Sequence, residues 1–226
     1  MNKWSVERWA ASTGIGFAVL LLVGGLIPGS PKKYNASAAD ISSYLTHKHK
    51  EILIGGILFG VAYVLFLWFL ASFAGMFRDA GQGRLATVIY GAGVATVALA
   101  AVGDGVGVAL AKLVYVDDPK TVQALYGLQS FFYGRLFWTV TALALATVLA
   151  VRRSKAMPDW YAWLTLVAAV LFVIAGVALK SHGFFSPSGA AGFIGFLAIV
   201  VWIALSSLLL VQKTGSAAPT AAPSMP

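Results

Sequence analysis

A chain of 226 residues that is 59% hydrophobic and only 11% charged cannot hide its apolar surface in one water-soluble core, whereas a bilayer can cover it. The net charge of +8 would suit nucleic acid if the basic residues clustered. They stand singly or in pairs between apolar runs, where they set topology and meet anionic headgroups, so the expected partner is the lipid bilayer and not nucleic acid. With no cysteine in the chain, disulfides, thiol nucleophiles and thiolate metal sites are excluded.

Six apolar runs follow one another, near residues 9–27, 52–77, 85–111, 123–151, 160–179 and 190–211. Each matches the roughly 20 residues a helix needs to cross hydrocarbon. They are too long for strands and do not alternate apolar with polar. The expectation is an all-α polytopic bundle with six spans, one membrane domain over residues 1–213 and a disordered tail over 214–226. The tail holds almost only Ala, Pro, Ser, Gly and Thr and cannot build a core. Met1-Asn2-Lys3 before the first run resembles a signal peptide, but the run ends near Ile27, well before the cleavage-like Ala36-Ser37-Ala38. The first run is therefore expected to stay as a span.

The breaks carry helix-boundary chemistry. Pro28-Gly29-Ser30-Pro31 closes the first span, and Ala80-Gly81-Gln82-Gly83 makes a tight turn after the second. Asp117-Asp118-Pro119 reads as an N-cap with proline in the first turn of the fourth helix; Met157-Pro158-Asp159 starts the fifth and Ser186-Pro187-Ser188-Gly189 the sixth. Trp160, Tyr161 and Trp163 are expected in an interfacial aromatic belt. Phe59, Phe66, Trp68 and Phe69 of the second span read as lipid-facing or packing residues. In the long first connection, residues 37–50 fit a short amphipathic helix on the membrane surface, with Ile41, Tyr44 and Leu45 on one face.

The third run, LATVIYGAGVATVALAAVGDGVGVALAK, holds one carboxylate, Asp104. Helical steps from it reach Gly93, Val97, Ala100, Gly107, Val108 and Ala111. Such a small-residue face lets a neighbouring backbone approach, so Asp104 is expected to point inward. Gly103-Asp104-Gly105-Val106-Gly107 lacks the strand and the lysine of a phosphate loop and reads as close packing. An ionisable group at membrane depth needs a partner or a wet space. The other intramembrane charge is Arg135, about 8 Å away in depth by residue count, a distance an arginine can largely snorkel. Asp104 and Arg135 are thus the expected pair, either an inert register lock or the lining of a transport path. The fourth run adds a buried polar stripe, Gln123, Tyr126, Ser130, Gly134 and Thr141, that suits helix packing or a solute path.

His47, His49 and His182 are the only metal-site candidates of imidazole type. The first two stand about 200° apart on a helix and chelate one ion poorly, so they read as solvated loop residues, with no metal and no cofactor expected. No histidine lies inside a span for haem, no lysine stands mid-span for a Schiff base, and no HExxH is present. An enzyme is not expected.

Six spans place both termini on one face, with Lys3, Arg8, Arg78, Arg84, Arg152, Arg153, Lys155 and Lys213 in short segments close to the span ends, against seven lysines on the other face. The opposite face carries only lysines as its basic residues besides its histidines. The positive-inside rule then puts both termini in the cytoplasm of a multi-pass cell-membrane protein.

Ser43-Tyr44-Leu45-Thr46-His47-Lys48-His49 leading into Ile54-Gly55-Gly56, Phe66-Leu67-Trp68-Phe69-Leu70, and Phe184-Phe185-Ser186-Pro187-Ser188-Gly189 before Phe196-Leu197-Ala198 and Val201-Trp202 form a recurring set of local patterns. In these the chain resembles a group of uncharacterised bacterial inner-membrane proteins, common in actinobacteria and assigned to a domain of unknown function. The resemblance implies about six spans and no established activity. Two functional classes follow: a non-catalytic accessory, scaffold or envelope-associated protein, or a small transporter or channel for a proton, ion or small solute that uses Asp104 and Arg135. A sealed, dry contact at Asp104 would favour the first, and a cavity reaching it the second. A membrane-protein partner or a second copy is compatible with Gly56-x-x-x-Gly60, which serves equally inside one bundle.

Overall fold

The computed structural model describes residues 3–33, 35–115, 118–180, 183–186 and 189–216. Six helices follow one another: α1 Lys3–Leu26, α2 Ala38–Asp79, α3 Gly83–Leu113, α4 Pro119–Ser154, α5 Asp159–Gly176 and α6 Ala190–Ser216. All six are long and apolar enough to cross a membrane. The protein is an all-α, multi-pass membrane bundle. Each helix packs on its neighbour in the chain, α6 closes against α1, and α2 also meets α4 across the interior. The result is a ring of helices in chain order. One end, the terminal face, holds the start of α1 and the end of α6; the loop face holds the connections after α1, α3 and α5.

Boundary chemistry explains most of the helix ends. The Asp118 side chain accepts from the Lys120 and Thr121 amides, and Pro119 opens α4, where a missing N–H costs nothing. Asp117 lies outside the described residues, as do Pro187 and Ser188 before α6 and residues 217–226 of the expected tail. Gly81 turns the chain between α2 and α3 with φ +77°, a conformation that a Cβ resists. α6 continues through residues 214–216, which had been expected in the tail.

Two further expectations need correction. Residues 38–50 do not form a separate surface helix; they are the first turns of α2, which runs unbroken for 42 residues. No glycine or proline interrupts residues 38–54, Ser37 caps the Asp40 amide and Lys48 pairs with Glu51 at 3.1 Å. At ~1.5 Å per residue α2 is about 63 Å long, twice the ~30 Å of bilayer hydrocarbon. Its apolar face turns inward: Ile41 and Leu45 pack with Leu110 of α3 and with Val122 and Tyr126 of α4 in a small second core at the loop face. In the expected aromatic belt, Trp160 and Trp163 are exposed but Tyr161 is fully buried. The Tyr161 hydroxyl lies 2.5 Å from Ser206 Oγ, and Ser206 itself donates to the Trp202 carbonyl, so the tyrosine is the donor.

The main core fills the half of the ring nearer the terminal face. Phe66, Phe69, Phe73 and Phe77 descend α2 with successive ring centroids 6.1, 5.3 and 5.2 Å apart. Phe137, Phe172, Trp202 and Tyr161 join them. Polar bonds tie the wall: Trp202 Nε1 donates to Thr165 Oγ1 at 3.0 Å, Ser207 Oγ to the Ala11 carbonyl at 2.5 Å, and Thr96 and Thr139 hydroxyls meet at 2.8 Å.

Candidate functional site

Above this core the ring is hollow. A cavity of about 640 Å³ is bounded by the loop-face halves of α1, α2, α3, α4 and α6, and α5 contributes Ala175. α5 is the shortest helix, 18 residues. Its last residue, Gly176, packs against Trp138 and Phe137 of α4. Beyond that level the chain continues as coil over residues 177–180 and 183–186, in which Ala178 and Ser186 are buried. The walls are mainly apolar and aromatic, with Phe17, Phe59, Phe66, Phe137, Phe193 and Phe196 among them. Phe59 and Phe66, expected only to pack or face lipid, are therefore cavity residues.

Asp104 supplies the carboxylate in this wall. It is buried, with 8% of its surface exposed. Tyr63 of α2 donates its hydroxyl to Asp104 Oδ2, and Tyr133 of α4 donates to Oδ1. Gln129 Nε2 donates in turn to the Tyr133 oxygen at 3.3 Å. Aligned donors in such a chain polarise one another. All four side chains line the cavity.

The small residues of α3 make this cluster possible. A Cβ on Gly103 would stand 3.2 Å from the Tyr133 ring, and one on Gly107 would occupy the place of the Gln129 amide. The two glycines bracket Asp104, so α4 comes close enough for Tyr133 and Gln129 to reach it. Gly93 is filled by Leu70 and Leu143 in the same way. Of the inward face expected around Asp104, Gly93, Ala100, Gly107 and Ala111 are buried with it, and Val97 and Val108 are half-buried. Gly56 lies against Val108 of α3, whereas Gly60 is exposed, so this motif's first glycine serves contact inside the bundle.

The expected Asp104–Arg135 pair does not form. Arg135 is exposed, and the ion pairs among the described residues that appear are Lys48–Glu51 and Lys155–Asp159. Two residues along a helix are about 200° of rotation, so once Tyr133 faces α3, Arg135 must face away. Of the expected buried polar stripe, Tyr126 and Thr141 are buried while Gln123, Ser130 and Gly134 are half-buried, and its bonds differ from expectation. Gln123 Nε2 donates to the Ala36 carbonyl at 2.6 Å and the Tyr126 hydroxyl to the Lys32 carbonyl at 3.0 Å. Both hold the connection after α1 over the cavity mouth. Ser130 and Thr141 donate to carbonyls of their own helix, Tyr126 and Phe137. Tyr63, Tyr133 and Gln129 were not foreseen. The usable signal was their phase: Tyr126, Gln129 and Tyr133 recur at helical spacing on one face of α4.

His47 and His49 sit on α2 near the loop face, His47 Nδ1 2.7 Å from the Ser43 carbonyl and His49 Nδ1 3.2 Å from the Tyr115 hydroxyl. Among the described residues no group of three or more metal-ligating side chains forms; His182 lies outside them.

Comparison with family models, with curated proteins and with solved structures gives no match for this chain.

Proposed function

We propose that this protein is a small carrier of the cell membrane, which binds a solute in the loop-face cavity against Asp104 and moves it across. The observation that carries this reading is the access of a buried carboxyl to a half-open cavity of about 640 Å³. A scaffold protein has no use for a costly intramembrane carboxylate beside a void; a solute site is a concave, mostly apolar pocket with a few converging polar groups. The aromatic core beneath it supports a carrier over an open channel, since the lower half of the ring is filled. With both termini in the cytoplasm, the cavity faces outward. Asp104 is the ligand-contacting group, and Tyr63 and Tyr133 position it.

The lack of cysteine in the chain makes the test direct. A Cβ on Gly134 meets nothing within 4 Å, so Gly134→Cys is tolerated by the packing. Gly134→Cys or Ser130→Cys in intact cells should react with a membrane-impermeant maleimide added outside, while Leu143→Cys, in the core, should not. Folded variants whose cysteines at both 130 and 134 stay inert from either side would overturn the proposal.

A further inference from the structure

Resting on that reading of the cavity, we infer that its ligand is a lipophilic monovalent cation: a bulky apolar body carrying one positive charge. Among the described residues that line the cavity, the charged ones are Asp104 and Lys32. Lys32 is exposed and stands at the mouth. Its carbonyl is held by Tyr126, about two helical turns, or ~10 Å, above Tyr133. Among the described residues Lys32 forms no ion pair with Asp104.

Asp104 is under-supplied by the protein. An ionised carboxylate accepts about four hydrogen bonds, and Tyr63 and Tyr133 fill one position on each oxygen. Both donors are neutral. Among the described residues no cation pairs with Asp104. A buried carboxylate without a protein cation takes either a proton or a counter-charge, and a cationic ligand supplies the second. The walls fit the rest of such a molecule. Phe17, Phe59, Phe66, Phe137, Phe193 and Phe196 offer apolar contact and ring faces, and rings attract a weakly hydrated cation.

Other ligand classes fit less well. An anion would be desolvated and then repelled by Asp104. A hard divalent ion wants six or more oxygen ligands, which these walls do not offer. A neutral apolar solute would fill the space but leave the carboxylate without its counter-charge.

Tetraphenylphosphonium and tetraphenylborate share one shape and carry opposite charges. Their binding to the purified full chain in lipid nanodiscs, followed by equilibrium dialysis, is the test. Saturable binding of the phosphonium at one per chain, at least tenfold weaker in Asp104→Asn and absent for the borate, is the expected result. A second readout keeps Asp104 intact and does not depend on the folding of Asp104→Asn: phosphonium should slow maleimide labelling of Ser130→Cys at least tenfold, and borate should not. Equal binding of both ions, or undiminished phosphonium binding by a folded Asp104→Asn, overturns the inference. If Ser130→Cys labels freely and neither ion protects it, the cation is wrong but the cavity reading stands. If neither Ser130→Cys nor Gly134→Cys labels, the cavity reading itself has failed.

Discussion

Tyr133 and Arg135 are separated by one residue, and the resulting angle around α4 decides what Asp104 meets. The hydroxyl wins over the guanidinium because the tyrosine lies on the stripe that faces α3, while Arg135 is left at the surface. A hydrogen bond to a charged group is worth ~1.5–3 kcal/mol net. Tyr63→Phe and Tyr133→Phe are each expected to lower stability by about that amount, measured by thermal unfolding in a mild detergent. Arg135→Gln should stay within ~0.5 kcal/mol, as surface changes do; a loss as large as that of the tyrosine variants would reinstate the ion pair. Asp104 was legible in the sequence because it is the lone carboxylate on a glycine and alanine face. Its partners were not, because a search for the opposite charge passes over tyrosines, which in an apolar run look like packing residues.

At the scale of elements, the helix ends were legible wherever a cap or a turn residue marks them, as at Asp118-Pro119 and Gly81. The continuity of α2 was not. Hydropathy falls across residues 38–50, and a membrane span is defined by hydropathy, but a helix stops only where its backbone is broken or capped. Those turns are held by the small core of Ile41, Leu45, Leu110, Val122 and Tyr126. Leu45→Ala should remove ~2–5 kcal/mol of local packing. Hydrogen exchange should then quicken over residues 38–50 and 108–113 while α5 and α6 are unchanged; uniform protection in the variant would mean that this end is held by something else. On α3, Gly107→Leu would drive a side chain into Gln129. Overpacking of this kind costs ~1–3 kcal/mol, and the variant should also lose phosphonium binding as α4 is pushed away from Asp104.

For the whole molecule, the ring of helices has a filled half and a hollow half. The filled half was foreseeable in part, since the phenylalanines of α2 recur at helical spacing. The hollow half was not, because it arises from unequal helix lengths and from the way six walls meet, neither of which is written in a local pattern. The filled half predicts that purified protein in a planar bilayer gives no single-channel currents, and steady ionic conductance would contradict the continuous core to which Phe69, Phe73, Phe77, Trp202 and Phe172 belong.

The brevity of α5 has a consequence for the surrounding lipid. Its 18 residues reach ~27 Å, less than the ~30 Å of an average hydrocarbon layer, while its neighbours overshoot. Hydrophobic mismatch costs fractions of a kcal/mol per Å, so bilayer beside α5 should thin or let acyl tails press over its short end, where α5 gives the cavity wall Ala175. Thicker bilayers would then occlude the pocket. In vesicles of increasing acyl-chain length, maleimide should react ever more slowly with Gly134→Cys, and the protein should partition toward the thinner phase of a mixed membrane.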